Sequence, residues 1–356
     1  MNGGAHLLLG IRGPELTPGE AERFRKIQPA GYILFSRNII TPSQTRALTD
    51  SLRSLSYDTP IIAIDQEGGR VSRTAALSPT PPSAPSLASY ADYGAIADSA
   101  ALTADQLRLL GINFNLAPVL DLDHHPLAAN ALNGRSWGRD PQRVIDFAGH
   151  WNRWLRKRHI ATCAKHFPAG GRAISDPHHD LPVCHSTWDT LLREDIIPYT
   201  ALMPELDAVM LAHIEFPHLD PLHPASLSPH VVGRLLRGQL GFDNHLVLTD
   251  DLDMGAITRR YGRGEDARLA VAAGCDIVLI CHEADSAEQA ASSIEQIPAW
   301  HREPSLTRIA RFRTKLSSPL LWSDSAWSAN ISALAELATR FPQPDGTPPA
   351  SPVQSY

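Results

Sequence analysis

Residues 245–251 read HLVLTDD, an apolar run that ends in two carboxylates, and this pattern recurs along the chain. Seven other short β-favouring runs lie at residues 5–11, 31–35, 60–65, 111–118, 160–167, 206–214 and 275–281. Most are continuous apolar runs, which is typical of parallel strands covered on both faces. Stretches with helical spacing lie between them, at residues 41–56, 140–158, 187–203, 228–239 and 264–273. Strand and helix therefore alternate.

Eight β/α repeats predict a closed (β/α)₈ TIM-type barrel, because closure removes edge strands and eight is the usual number. The alternative is an open doubly wound sheet, which would carry a glycine-rich phosphate turn after its first strand. Residues 11–14 read IRGP and lack that spacing. We therefore predict one barrel domain over residues 1–341, followed by a flexible Pro- and Ser-rich tail at 342–356.

Composition limits the partners of the chain. Among 356 residues, 32 Lys and Arg stand against 38 Asp and Glu, and this charge of -6 gives no electrostatic reason to bind nucleic acid. No stretch approaches the roughly 20 apolar residues of a membrane span. Residues 1–11 lack a signal-peptide core, and the four cysteines show no C-x-x-C spacing. We expect buried thiols, a cytoplasmic location and a monomer.

Charged residues follow several of the predicted strands. In a barrel, polar residues at the carboxyl ends of strands face the active-site mouth. Taken singly, each has a structural explanation: Asp65 or Asp251 as a helix cap, Lys165 as a partner of a carboxylate, His213 as a hydrogen-bonded core histidine. Their occurrence at the same end of four strands, with Asp250 beside Asp251, indicates an active site.

Five segments together resemble a known family. They are residues 31–38 (GYILFSRN), 64–71 (IDQEGGRV), 165–168 (KHFP), 176–178 (DPH) and 249–254 (TDDLDM). In this order they resemble glycoside hydrolase family 3, in its single-domain, NagZ-like β-N-acetylglucosaminidase branch. The resemblance covers about residues 7–279. It implies a barrel, in agreement with the repeat count.

The resemblance also implies roles for individual residues. Asp250 matches the catalytic nucleophile, His178 the general acid/base and Asp176 its partner carboxylate. Further matches to sugar-binding residues are Asp65, Arg73, Arg135, Lys165 and His166. The implied enzyme is a β-N-acetylhexosaminidase that releases terminal N-acetylglucosamine from peptidoglycan-derived fragments, a reaction of carbohydrate metabolism and cell-wall recycling. It acts on a small carbohydrate, through a glycosyl-aspartate and with net retention.

These roles are chemically reasonable. A retaining glycosidase needs a carboxylate to attack the anomeric carbon and an acid to protonate the leaving oxygen. We expect Lys165 to hold Asp250 ionised, while Asp251 points to the other face of the strand as a helix cap or a support. An imidazole suits proton transfer near neutral pH, and Asp176 lies two residues before His178 on the same side of an extended segment.

The chain also departs from the family pattern, in which the lysine motif reads KHFPGHG and is followed by DSH. Here Ala169 replaces a glycine, Gly170 a histidine and Pro177 the serine of the dyad. We expect the proline to stiffen the loop and the two glycines to loosen its base. The alternatives are therefore a β-glucosidase, another family 3 glycosidase or a phosphorylase that uses the same histidine.

Two further classes compete with this prediction. The histidines at 124–125, 178–179, 213 and 223 suggest a metal-dependent barrel hydrolase. Such enzymes often begin their ligand set with H-x-H at the end of the first strand, where this chain has residues 10–12, GIR. We therefore predict no metal and no cofactor. A non-catalytic sugar-binding relative is the other class, and it would bind sugar without turnover.

Overall fold

Eight parallel strands close into a barrel in the computed structural model, which describes residues 2–126, 130–178 and 180–342. The barrel strands are β1 (Leu7–Gly10), β2 (Gly31–Leu34), β3 (Ile61–Ile64), β6 (Phe114–Asn115), β7 (Ala161–Phe167), β8 (Ala208–Leu211), β9 (Leu246–Asp251) and β10 (Ile277–Ile280), and a small antiparallel hairpin after β3 is formed by β4 (Gln66–Gly68) and β5 (Val71–Ser72). All eight predicted strands are confirmed, each within its predicted run.

Closure of the barrel is complete because β1 pairs with both β2 and β10. Leu9 lies opposite Tyr32 on one side and Ile280 on the other. The order around the barrel is β1-β10-β9-β8-β7-β6-β3-β2. Every barrel strand therefore directs its carboxyl end to the same mouth, as the (β/α)₈ prediction requires.

Helices surround the strands. They are α1 (Pro18–Ile27), α2 (Pro42–Leu55), α3 (Ala84–Tyr90), α4 (Tyr93–Leu109), α5 (Pro141–Lys157), α6 (Trp188–Arg193), α7 (Ile197–Leu202), a π-helix (His230–Gln239), α8 (Gly255–Thr258), α9 (Glu265–Ala273), α10 (Ala287–Glu295), α11 (Ala299–Arg313) and α12 (Asp324–Arg340). Local signals define several starts: in α2, for example, Thr41 accepts a hydrogen bond from the backbone N–H of Gln44, with Pro42 following the cap.

The barrel interior is packed at its amino end and open at its carboxyl end. Alternate strand residues point inward, such as Leu8 and Ile33, while their neighbours pack against the helices. Ile309 and Phe312 of α11 belong to the interior cluster, and the Phe312 ring centroid lies 5.0 Å from that of Phe114. Helix α11 therefore fills the floor, which leaves the opposite mouth for a ligand.

Two predicted elements differ in detail. The predicted helix over 187–203 is two helices, α6 and α7, because Pro198 lacks a backbone donor and lies in the first turn of a new helix. The predicted helix over 228–239 begins at His230 and is a π-helix.

Several other predictions concern buried or terminal segments. All four cysteines are buried and free. Within the described ranges, no helix is both long and apolar enough to cross a membrane. Of the tail predicted at 342–356, only Pro342 belongs to the described residues. The domain boundary at residue 341 stays a prediction.

Candidate active site

A pocket with about 850 Å³ of empty space, open solvent included, lies at the carboxyl end of the barrel. Seven of the eight predicted site residues line it: Asp65, Arg73, Arg135, Lys165, His166, His178 and Asp250. The eighth, Asp176, contacts His178. The structure thus brings together residues that lie as far apart in sequence as 65 and 250.

A buried charge cluster forms one wall of the pocket. The Lys165 Nζ atom lies 2.6 Å from Asp65 Oδ1 and 2.7 Å from Glu67 Oε1. Arg135 binds Glu67 through two parallel contacts of 2.7 and 2.8 Å. Arg73 approaches the second oxygen of Asp65 at 3.8 Å. Three cations therefore hold two carboxylates in fixed positions.

The charges of this cluster support one another. Burial opposes ionisation of Glu67, but Arg135 and Lys165 outweigh it and hold the pKa of Glu67 far below its ordinary value. Burial likewise opposes the charge on Lys165. The carboxylates of Asp65 and Glu67 outweigh this effect of burial, so the pKa of Lys165 is raised. Asp65 keeps 16% of its side chain exposed, so its carboxylate remains accessible from the pocket.

The carboxylate of Asp250 lies at the end of β9. Its Oδ1 accepts a hydrogen bond of 2.8 Å from the backbone N–H of Asp251, and its Oδ2 lies 4.0 Å from His166 Nε2. Burial would raise the pKa of Asp250, but the nearby His166 and His213 lower it overall. We expected Lys165 to keep Asp250 ionised. The structure gives this role to histidines, since the Lys165 ammonium pairs with Asp65 and Glu67.

Asp176 and His178 form a close pair on the loop after β7. Asp176 Oδ1 lies 2.5 Å from His178 Nδ1 and also accepts a hydrogen bond of 3.0 Å from the His178 backbone N–H. With Nδ1 held in this way, proton exchange with a ligand falls to Nε2. The Asp-Pro-His spacing therefore places both side chains on one side, as predicted.

Backbone hydrogen bonds join this loop to the segment that follows Asp250. The N–H groups of Gly255 and Ala256, at the start of α8, donate to the carbonyl groups of His178 and Pro177, both at 3.2 Å. The loop bearing the imidazole is therefore fixed to the element that follows the carboxylate.

Comparison with known proteins agrees with this geometry. Residues 14–312 match the family model of the glycosyl hydrolase family 3 N terminal domain. The chain belongs to glycosyl hydrolase family 3.

Relatives within family 3 are similar over most of their length. A beta-hexosaminidase from Pseudomonas aeruginosa is 34% identical over 292 residues, which are 82% of this chain and 86% of that protein. Native NagZ from Neisseria gonorrhoeae superposes with a TM-score of 0.82 at 29% identity, covering 94% of this chain and 98% of that one. A family 3 beta-N-acetylglucosaminidase from Paenibacillus has a TM-score of 0.87 at 29% identity, covering 95% and 68%.

One departure from the family 3 motif, Gly170, has a visible structural cause, and the neighbouring Gly171, which agrees with the motif, has a similar one. A Cβ atom on Gly170 would lie 2.7 and 2.9 Å from the carboxylate oxygens of Asp121. A Cβ atom on Gly171 would lie 1.9 Å from the carbonyl oxygen of Leu122. Close approach of neighbouring groups therefore requires glycine at both positions. Ala169 is buried beside them.

Two residues of this family 3 site were missing from the sequence prediction. Glu67 neutralises Lys165 and Arg135, and Asp121 lies 2.7 Å from His166 Nδ1. A signal existed for each. Glu67 stands two residues after Asp65 in the quoted motif, and Asp121 ends the apolar stretch 116–120 just as other carboxylates end strands.

Asp251 and His213 support the site from behind. Asp251 Oδ1 accepts backbone hydrogen bonds from Asp253 and Cys281. The cap position of α8 is taken by Met254. Asp251 therefore supports the backbone around the site and is not a helix cap. His213 is buried, with Nδ1 2.7 Å from the Ser226 hydroxyl and Nε2 2.9 Å from the Asp251 carbonyl. His213 is therefore a hydrogen-bonded core histidine that also borders the pocket.

One cluster among the described residues places three potential metal ligands together, and it lies apart from the pocket-lining residues. It consists of His124, Glu194 and Asp195. Arg172 already pairs with both carboxylates, at 2.5 Å to Glu194 and 2.7 Å to Asp195. An arginine charge at these oxygens disfavours a cation, so this cluster is an ion-pair network.

Proposed function

We propose that this family 3 protein is a retaining, exo-acting β-N-acetylglucosaminidase. The observation that carries the proposal is the pocket itself, where Asp250, the His178–Asp176 pair and the charge cluster around Lys165 meet. Its relatives include a beta-hexosaminidase and beta-N-acetylglucosaminidases. A pocket with a packed floor suits removal of a terminal sugar.

In the first step, Asp250 acts as the nucleophile. A carboxylate oxygen of Asp250 forms a bond to the anomeric carbon while the bond to the leaving oxygen breaks. His178 gives its Nε2 proton to that oxygen, so the aglycone departs as a neutral alcohol. The lowered pKa of Asp250, which burial opposes and His166 and His213 produce, keeps this nucleophile ionised.

In the second step, water attacks the anomeric carbon of the glycosyl-aspartate. His178 accepts a proton from the water, and the ester bond to Asp250 breaks, which regenerates both groups. Two inversions at one carbon give net retention. Asp176 holds the His178 ring by its Nδ1 in both steps and stabilises the imidazolium.

The charge cluster is suited to bind the hydroxyl groups of the terminal sugar. Asp65 presents carboxylate oxygens at the pocket surface, and Lys165 and Arg73 fix its orientation. Charged groups held in this way form stronger hydrogen bonds to hydroxyls than neutral ones. The mechanism uses acid, base and nucleophile from the chain alone, so we propose activity without a metal or cofactor.

We further propose that peptidoglycan-derived fragments supply the terminal N-acetylglucosamine, that the reaction takes place in the cytoplasm and that the enzyme acts as a monomer. Similarity to family 3 relatives, among them NagZ from Neisseria gonorrhoeae, supports this assignment. The changes at Ala169, Gly170 and Pro177 lie beside the acid/base loop. For this reason a β-glucosidase or a phosphorylase is the second candidate.

One assay separates these candidates. Initial rates are measured on nitrophenyl β-N-acetylglucosaminide and nitrophenyl β-glucoside, each with and without inorganic phosphate. We expect preference for the acetamido sugar and free sugar as product in both buffers. A preference for the glucoside would refute the sugar assignment, and a sugar phosphate would identify a phosphorylase.

Trapping of the intermediate tests the nucleophile. A fluorinated N-acetylglucosaminyl donor that forms the glycosyl-enzyme and resolves slowly should label Asp250 when the digest is examined by mass spectrometry. Asp250→Asn should abolish both turnover and label. Label on another residue, or retained turnover in this variant, would refute the role of Asp250.

A further inference from the structure

The imidazole of His166 lies between two carboxylates, of which the reaction as described above uses only one. Its Nε2 atom is 4.0 Å from Asp250 Oδ2. Its Nδ1 atom is 2.7 Å from Asp121 Oδ2. Asp121 was absent from the predicted site and has no part in the two chemical steps. Its hydrogen bonds nevertheless indicate a role in the site.

Asp121 occupies a site built to hold a carboxylate. Its side chain is fully buried. Oδ2 accepts from both Nδ1 and the backbone N–H of His166, the latter at 3.0 Å, and Oδ1 accepts from the Gly170 backbone N–H at 2.7 Å. Three donors therefore converge on two oxygens that can only accept. The contact assigns a proton to His166 Nδ1.

We propose that Asp121 is a positioning residue for the glycosidase reaction: it fixes the His166 ring and keeps a proton on Nδ1, which directs Nε2 toward the sugar pocket beside Asp250. The proposal rests on the proposed function, because it takes Asp250 as the nucleophile. It follows the general rule that the partner of one imidazole nitrogen determines what the other nitrogen does.

The direction of Nε2 matters for the reaction. In the neutral ring Nε2 is a hydrogen-bond acceptor, and after a second protonation its charge acts on Asp250 across 4.0 Å. In the other tautomer, Nε2 would carry the only proton and Nδ1 would need a donor. Asp121 as a carboxylate offers none, so it excludes that tautomer.

An asparagine cannot replace this carboxylate. It has one acceptor oxygen, so its amide N–H₂ must face either the Gly170 N–H or the His166 donors. When the amide faces His166, the conflict at Nδ1 is relieved if the ring moves its proton to Nε2, because Nδ1 then accepts from the amide, while the His166 backbone N–H loses its acceptor. Asp121→Asn should therefore keep the shape of the site and no longer hold the ring in one tautomer.

A substitution at Gly170 is a second way to displace Asp121 while its carboxyl group is kept. Because a Cβ atom there would lie 2.7 Å from Asp121 Oδ2, Gly170→Ala must push the carboxylate away from His166. A matched control is Asp207→Asn. Asp207 is also buried and accepts from the Thr162 backbone N–H, Arg156 and Lys315, but it precedes β8 at the amino end of the barrel.

The first measurement does not depend on turnover. Nitrogen-15 spectra of the histidine rings are recorded for ligand-free wild type, Asp121→Asn, Gly170→Ala and Asp207→Asn, and His166→Asn identifies the His166 signals. We expect the proton on Nδ1 in the wild type and in Asp207→Asn, and on Nε2 or exchanging between both nitrogens in the other two. An unchanged His166 tautomer in both Asp121→Asn and Gly170→Ala, or a neutral wild-type ring with its only proton on Nε2, overturns the proposal.

The second measurement is the pH profile of kcat/KM on the nitrophenyl N-acetylglucosaminide. We expect Asp121→Asn to lose about 10- to 100-fold, the range found when the hydrogen-bond partner of a metal-binding histidine is removed. Its acidic limb should shift, because moving the ring proton to Nε2 changes the electrostatic field at Asp250 Oδ2, 4.0 Å away. An equal loss of kcat/KM in Asp207→Asn, or an acidic limb of the pH profile that does not shift in Asp121→Asn, would show that Asp121 has only a structural role. If the wild type has no turnover, the proposed function fails, while the ring spectra still decide on Asp121.

Discussion

Asp250 and Asp251 are adjacent in sequence, yet their surroundings drive their pKa values apart. Burial would raise the pKa of Asp250, but His166 and His213 lower it overall. Burial raises the pKa of Asp251, and the nearby Asp253 raises it further. Successive residues of a strand point to opposite sides, which places these two carboxyls in different environments. Such divergence between neighbours is typical of catalytic sites.

The raised pKa of Asp251 leads to a prediction about stability. A carboxyl whose pKa is higher in the folded than in the unfolded chain makes the fold less stable as pH rises above its unfolded value. Asp251→Asn keeps an acceptor for the Asp253 and Cys281 backbone donors and cannot ionise. We expect this variant to gain stability relative to wild type between mildly acidic and mildly alkaline pH, as measured by denaturant unfolding. The same difference at both pH values would contradict the pKa shift.

His178 gives a graded prediction for catalysis. A leaving group that is a poor base departs without a proton, whereas an alkyl or sugar oxygen needs one. For His178→Ala we expect a loss in kcat/KM of about 10²- to 10⁴-fold on alkyl N-acetylglucosaminides and a much smaller loss on dinitrophenyl ones. His124→Ala serves as control, since that ring pairs with Asp195 away from the pocket. Equal losses on both substrates would argue against the acid/base role.

At the scale of elements, the eight strands were predictable and the connections between them less so. Continuous apolar runs fix a buried parallel strand, and the common polarity of a barrel then brings residues such as Asp65, Lys165 and Asp250 to one mouth. Glu67 was missed because it lies in the β4–β5 hairpin, and no apolar run in the sequence predicts that hairpin. Asp121 was missed because β6 is only two residues long and the carboxylate follows it in an irregular segment.

Helix α11 had no clear signal in the sequence, although it forms the floor of the barrel. Pro304 lies within it and suggests a break, yet the helix continues to Arg313. Its contribution is one of packing, since Ile309 and Phe312 enter the interior cluster. Packing of this kind depends on contacts between distant segments, which local patterns do not show.

This packing gives a prediction for α11. Phe312→Ala removes a ring that is 3% exposed, and we expect it to cost about 3–5 kcal/mol in the free energy of unfolding. Trp300→Ala on the same helix removes a ring that is 73% exposed and should change that free energy by about 0.5 kcal/mol or less. Denaturant unfolding of both variants tests this difference. Similar costs for both would show that α11 does not close the barrel by packing.

For the whole molecule, the charge cluster in the pocket couples function to stability. Lys165, Arg135 and Glu67 are each almost fully buried, and the fold must compensate for removing these charges from water. They do so as a set, because each cation contacts a carboxylate at hydrogen-bond distance. Removing Glu67, for example, takes away the carboxylate that binds Arg135 and one of the two that bind Lys165. This wall of the pocket is therefore also a part of the fold that is sensitive to pH.

Glu67 allows this coupling to be measured. Its pKa lies well below the ordinary value of 4.5, because Arg135 and Lys165 outweigh the opposing effect of burial. A carboxyl with a lowered folded pKa stabilises the fold above its unfolded pKa, and this contribution disappears as pH falls toward the folded value. At neutral pH, Glu67→Gln should cost about 3–5 kcal/mol, since it breaks a buried ion pair.

Unfolding of wild type and Glu67→Gln across acidic pH gives the decisive comparison. Wild type should lose stability as pH falls below 4.5, whereas the variant has no carboxyl at this position to protonate, so its curve should be flatter and the two should converge. Glu288→Gln is the matched control, because Lys26 lowers the pKa of Glu288 through a hydrogen bond but the pair is exposed to solvent, which screens its charge. Parallel curves for wild type and Glu67→Gln would mean that the cluster does not link protonation to folding, whereas convergence for Glu67→Gln alone locates that link in the buried wall of the pocket.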